Sequence, residues 1–239
     1  MIPFRDSNPS GTRPVVTIAI IAVNVLAFLY GVALGDELDR FVLRYALLPG
    51  VVTGHYAIPG WDFTDTAWRF VTTMFLHAGW IHLIGNMWYL WIFGDNIEDR
   101  LGHVGFAVFY LVGGVAASLF HMFSNPESLV PTVGASGAIA AVLGAYLVCF
   151  PRARVTTFVP VFFVPMFFEF PAVFVLGFWF IVQLFSGAAS LGVPTQATGG
   201  VAWWAHIGGF ITGMVLIRVL PARKQRRQTY YRVPFDRYY

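Results

Sequence analysis

The sequence predicts an all-α membrane protein built from six spanning helices, and three observations predict it. Of its 239 residues, 57% are hydrophobic and only 11% are charged, against roughly 25% charged in soluble domains; the mean hydropathy is +0.67. Apolar runs recur near 15–34, 70–93, 104–123, 137–150, 171–190 and 201–220, and all but the fourth are long enough for a hydrocarbon layer of roughly 30 Å at about 1.5 Å per residue. The fifteen Lys and Arg residues are also unevenly placed. An even number of spans puts both termini on one side, and placing them in the cytoplasm leaves only Arg40, Arg44 and Arg69 outside, as the retention of positive charge on the cytoplasmic side requires.

The expected organisation is a cytoplasmic tail at 1–14, a six-helix domain at 15–220 and a basic cytoplasmic tail at 221–239. The first run follows a polar start and ends without a small-residue cleavage site, so it reads as a retained anchor on a mature N-terminus and not as a removed signal peptide. The outer loop at about 35–69 mixes Asp36, Glu37, Asp39, Asp62 and Asp65 with Tyr45, Tyr56, Trp61, Phe63 and Trp68, which suits a half-submerged position in the headgroup layer. The segment 155–168 opens VTTFVPVFFVPM; its two prolines make a poor helix interior and mark an interfacial element leading into span five. The fourth run, Gly137 to Phe150, supplies only about 21 Å of helix and falls some 9 Å short of the bilayer. Its outer end is therefore submerged, and the preceding SNPESLVPTVGA is irregular backbone at membrane depth, tolerated only where protein or water covers it.

Polar groups inside spans are costly and point by default to function. In span two, His82 and Asn86 are four apart and share a face, whereas His77 is expected to point away. Span six carries His206, Gly209 and Gly213 on one face, and span four answers with Gly137, Ala140, Ala141 and Gly144, small residues that allow close helix contact. Spans two, four and six run the same way, so Ser136, His206, His82 and Asn86 are expected at one depth in a wet pocket. A serine hydroxyl needs a base, and an imidazole is the usual one. No Asp or Glu lies within a span except Glu169 at the opposite end of span five, so the chemistry expected is a Ser136–His206 dyad. The Ser136 backbone N–H, His82 and Asn86 are the candidate donors to a developing oxyanion.

Three stretches, WRFVTTMFLHAGWIHLIGNMWYLWIFGDNIEDRLG (68–102), GASGA (134–138) and AHIGGFITG (205–213), resemble the rhomboid intramembrane serine proteases in their basic bacterial six-helix form, over about 15–220. The resemblance implies hydrolysis of peptide bonds in or beside the transmembrane segments of membrane proteins through an acyl-enzyme. It implies Ser136 as nucleophile, His206 as general base, and His82, Asn86 and the Ser136 amide as oxyanion hole, with Gly134, Gly137, Gly209 and Gly213 supporting. It further implies that Trp68 and Arg69 anchor the outer loop, that Glu98 and Arg100 serve structure at the inner face, and that span five moves to admit substrate. Several family members carry a tyrosine four residues after the serine to pack on the imidazole; this chain has Ala140. Trp203 and Trp204 are the candidates to replace it, and both equally suit an interfacial belt.

Bland readings go to the rest. His55 and His121 read as surface or headgroup histidines, His77 as structural, Asn24 and Gln183 as interhelical hydrogen bonds, Cys149 as a packing residue, and the phenylalanines from Phe162 to Phe180 as a lipid-facing or core band. A zinc site from His77, His82 and His206 lacks any nearby Cys or carboxylate, so no metal or cofactor is expected. The pI of 9.2 reflects topology signals and not nucleic-acid binding. The expected partners are transmembrane substrates and the bilayer, and the expected location is a bacterial cytoplasmic membrane with the site open outward. Two other classes compete: a non-catalytic rhomboid-like escort, whose relatives usually lack the serine or the histidine, and a small transporter, which would want polar groups in both leaflets.

Overall fold

The computed structural model describes residues 2–58, 61–161, 164–191 and 201–223. Phe162, Phe163 and the basic cluster from Lys224 onward lie outside them. The chain is mostly helical. Helices α1 (Val15–Ala33), α2 (Leu38–Tyr45), α3 (Pro49–Val52) and α4 (Phe63–Thr72) are followed by α5 (Trp80–Leu101), α6 (His103–Ser124), α7 (Ser136–Cys149), α8 (Ala172–Ala189) and α9 (Trp203–Val219). Six of these, α1 and α5 to α9, coincide with the apolar runs.

The second run is displaced from its expected bounds. The apolar run places it at 70–93, but residues up to Thr72 belong to α4 and the long apolar helix starts only at Trp80. Leu76 adopts an extended conformation and Gly79 is extended as well, which breaks the helix between the two. At its far end α5 continues to Leu101 through Asp95, Asn96, Glu98 and Asp99, because the N-terminal segment supplies partners for these groups. Asn96 Nδ2 donates to the Asn8 carbonyl at 2.9 Å, and Asp99 accepts from Gly11 N and Thr12 Oγ1. Gly102, at φ +74°, then ends α5 and lets α6 begin.

The expectation of an all-α fold needs correction. Strand β1 (Ile2–Asp6) pairs antiparallel with β2 (Arg154–Val161), which forms a hairpin with β3 (Val164–Pro171), in the order β1-β2-β3. The prolines that argued against helix are placed as a sheet allows: Pro160 sits on β2 beyond the reach of β1, and its partner Pro165 is on the edge strand β3. β1 is held against α5 by a hydrogen bond from Trp88 Nε1 to the Pro3 carbonyl at 2.7 Å, and against α7 by Tyr146 Oη donating to Asp6 Oδ2 at 2.5 Å.

At the centre lies α7, buried from Gly137 to Tyr146 among α5, α6, α8 and α9. Its contact with α9 is one of backbones. A Cβ on Gly209 would overlap the Gly137 carbonyl, one on Gly213 the Ala141 carbonyl, and one on Gly144 the Phe210 carbonyl. Small residues on both faces are what permit this approach. At the other end of the molecule Glu98, fully buried, accepts from Val16 N, Thr17 N and Thr17 Oγ1 at 2.7–2.9 Å. A carboxylate thereby caps the positive end of α1, which has no side-chain cap of its own.

Candidate active site

The site begins with the irregular backbone ahead of α7. Thr132 N donates to the Leu47 carbonyl at 2.8 Å and Gly134 N to the Thr73 carbonyl at 3.0 Å, while Thr73 Oγ1 donates to the Thr132 carbonyl. Buried backbone groups must find such partners, and here Leu47, between α2 and α3, and the turn after α4 provide them. Gly134 has φ +128°, and a Cβ there would lie 2.8 Å from the His82 ring. Only glycine tolerates both conditions. The strained turn and the imidazole fit one another, and they deliver Ser136 as the first residue of α7.

Ser136 Oγ lies 2.8 Å from His206 Nε2. The Gly137–Gly209 contact, one residue beyond the serine and three beyond the histidine, holds their two helices at the separation this distance needs. His82 and Asn86, on α5, line the same cavity of about 550 Å³ together with Tyr89, Ser136, Trp179 and His206. Asn86 Nδ2 is buried and has no partner among the described residues, an arrangement that costs about 1–3 kcal/mol unless something accepts its hydrogen. Of the other predicted site residues, Gly137, Gly209 and Gly213 lie in the α7–α9 contact.

Trp68 and Arg69 sit apart from the cavity, on α4. Arg69 is buried, donates from Nη1 to the Leu43 and Ala46 carbonyls at 2.6 and 3.2 Å, and stacks 3.5 Å from the Trp61 ring centroid. Trp68 packs edge-on against Tyr45 at 5.2 Å. α4 itself starts with a capping box in which Asp62 accepts from Asp65 N at 2.9 Å.

Two histidine readings change, and that of His55 stands. His77 was expected to point away from His82, yet the rings are 5.0 Å apart; helical angles do not apply because the chain from Leu76 to Gly79 is not helical. Among the described residues neither buried ring nitrogen of His77 has a partner at full hydrogen-bond geometry. His121, read as a surface residue, is 4% exposed because its face of α6 packs inward. His55 is exposed, 2.9 Å from Thr53 Oγ1. Among the described residues no three His, Cys, Asp or Glu side chains are grouped to hold a metal ion. Asn24 bonds within its own helix, to the Ile20 carbonyl.

Gln183 makes the interhelical hydrogen bond expected of it, and its partner is His206. Gln183, on α8, brings Oε1 to 2.8 Å from His206 Nδ1. The ring of His206 also lies 5.9 Å from that of Trp179, on α8, and 6.2 Å edge-on from that of Trp203, on α9, so an aromatic ring from each of these helices flanks the imidazole. The available signal was a lone amide in an apolar helix, which identifies a polar partner but not which one.

A family model described as the rhomboid domain matches residues 64–223. The chain is 31% identical to the mitochondrial RHOMBOID-like protein 6 of Arabidopsis thaliana over 161 residues, 66% of this chain and 45% of that protein. It is 27% identical to the mitochondrial Rhomboid protein 1 of Saccharomyces cerevisiae over 217 residues, 87% of this chain and 55% of that one. To the chloroplastic Rhomboid-like protein 11 of Arabidopsis thaliana it is 31% identical over 175 residues, 70% and 55% respectively. The chain thus spans about half the length of these curated relatives. Helices α1 and α8 and the helical run from Trp80 to Ser124 are long and apolar enough to cross a membrane, as befits an integral membrane protein. With the match covering well over half its length, the chain belongs to the rhomboid family.

Proposed function

We propose that this protein is an intramembrane serine endopeptidase that cleaves membrane proteins in or beside their transmembrane segments. The observation that carries the reading is the 2.8 Å contact between Ser136 Oγ and His206 Nε2 at the wall of a cavity large enough for a peptide segment. His206 Nε2 takes the hydroxyl proton as Ser136 Oγ attacks the scissile carbonyl carbon. The tetrahedral oxyanion is held by the Ser136 backbone N–H, free because it opens a helix, and by His82 and the unpartnered Asn86 amide. His206 then returns the proton to the leaving amine as the C–N bond breaks, leaving an acyl ester on Ser136. A water molecule, deprotonated by His206 in turn, releases the acid and restores the serine.

Six helices cross the bilayer in this reading, both termini being cytoplasmic. The helical run from Trp80 to Ser124 has 45 residues, about 68 Å at 1.5 Å each, so it makes two passes divided at Gly102. α7, with 14 residues, reaches only about 21 Å and starts below the outer surface, where its preceding loop is covered by the outer loop. The site then opens outward, and transmembrane substrates reach it from the bilayer. The charge bias favours cytoplasmic termini, and the resemblance to the basic six-helix form favours a bacterial cytoplasmic membrane, whereas the relatives with organellar names are mitochondrial and chloroplastic.

A fluorophosphonate probe tests the activity. It labels wild-type protein at Ser136, and labelling is lost in Ser136→Ala and His206→Ala. Equal labelling of all three removes the proposal.

A further inference from the structure

We propose that Gln183 is the positioning residue of His206, setting the tautomer in which the imidazole can act as a base; this rests on the serine protease reading above. Gln183 makes two contacts that constrain each other. Its Nε2 donates to the carbonyl of Trp179, one turn earlier on α8, at 3.2 Å, and its Oε1 lies 2.8 Å from His206 Nδ1. Exchanging the amide's oxygen and nitrogen would set Oε1 against the Trp179 carbonyl, two acceptors facing one another. The carbonyl therefore fixes the amide, and the amide presents only an acceptor to the imidazole.

The consequence for His206 follows at once. A contact of 2.8 Å to an acceptor needs a hydrogen between, so Nδ1 carries the proton. Nε2 is then the ring's free lone pair, and it is the atom facing Ser136 Oγ at 2.8 Å. In the other tautomer two lone pairs would meet at Nδ1, and Nε2–H could not accept the serine proton. When Nε2 takes that proton, Nδ1–H remains bonded to Gln183 Oε1, whose dipole stabilises the imidazolium; the amide itself gains and loses no proton. A neutral amide thus holds the place where a carboxylate would orient the imidazole in a triad. The same helix packs the Trp179 ring 5.9 Å from the imidazole, so nucleophile, base and positioning group come from α7, α9 and α8 respectively.

The test uses full-length protein in lipid vesicles with a model transmembrane substrate, together with ¹⁵N-histidine spectra assigned by difference from His206→Gln. The wild type shows His206 protonated at Nδ1 and bare at Nε2. Gln183→Leu lowers kcat by about 10²-fold or more with little change in KM, and redistributes the tautomers. Gln183→Glu keeps an acceptor, retains most of the wild-type kcat at the top of its pH profile, and moves the acidic limb to higher pH because a carboxylate favours the imidazolium. The titratable groups whose charge reaches His206 are His82 on α5 and His121 on α6; neither is altered, so the shift reports the new carboxylate. Wild-type kcat in Gln183→Leu while Ser136→Ala is inactive overturns this inference and leaves the protease reading standing, as does a wild-type spectrum with the proton on Nε2. Undiminished cleavage by Ser136→Ala overturns both.

Discussion

Gly209 on α9 lies against the Gly137 carbonyl on α7 so closely that a Cβ would overlap the oxygen. This contact is one residue from Ser136 and three from His206, and it sets the spacing of the two helices that carry them. Gly209→Ala must push the backbones apart. It is expected to cost about 1–3 kcal/mol of stability and to lower kcat/KM on the order of 10²-fold by misplacing the imidazole. Thermal unfolding in detergent and steady-state cleavage check both effects. Gly177→Ala on α8, where an added Cβ meets nothing within 4 Å, is the control, and a matching loss there would disprove the steric account.

Asn86 offers a buried amide hydrogen with no acceptor among the described residues. If that hydrogen serves a transition state, Asn86→Ala slows turnover by about 10²-fold or more and leaves the unfolding temperature unchanged or raised, since an unsatisfied donor is removed. Undiminished cleavage would rule the role out.

Arg69→Lys separates geometry from charge. The guanidinium bonds the Leu43 and Ala46 carbonyls at the end of α2 and stacks on Trp61, whereas an ammonium group cannot do both. The expected result is a loss of about 1–3 kcal/mol from orphaned carbonyls, with faster amide exchange in α2 and α3 measured by mass spectrometry. Exchange that stays at wild-type rates refutes the anchoring role.

Asp6 predicts a pH dependence. Burial pushes its carboxyl above the ordinary 3.8, against the opposing pull of the Tyr146 hydrogen bond. The folded state therefore binds the proton more tightly than the unfolded chain. The stability so contributed is fully present below 3.8 and is lost as pH rises through the folded-state value. Asp6→Asn keeps an acceptor for Tyr146 without the charge, so it flattens this stretch of the profile and stabilises the protein at neutral pH. Unfolding temperatures taken from about pH 4 to about pH 7 check it. Lower stability of Asp6→Asn at neutral pH would mean that the charged hydrogen bond outweighs desolvation.

What could be read in advance followed from local chemistry. Apolar runs announced α1 and α5 to α9, small-residue spacing announced the faces of α7 and α9, and a serine among glycines at a helix start, with an imidazole and an amide four apart on another helix, announced which residues would line a cavity. These patterns repeat within one helical turn or one bilayer thickness, so they are written in consecutive residues.

Tertiary structure alone decided the rest, because the partners are far apart in sequence. β1 acquires strand geometry from β2, about 150 residues away, and nothing in a short polar N-terminal stretch encodes that pairing. His77 meets His82 because the chain leaves the helix between them. Gln183 was visible as an amide in an apolar helix, but only the packing of α8 against α9 aims its oxygen at Nδ1. Sequence determined which side chains could not rest in lipid; which one each would meet was decided where helices touch.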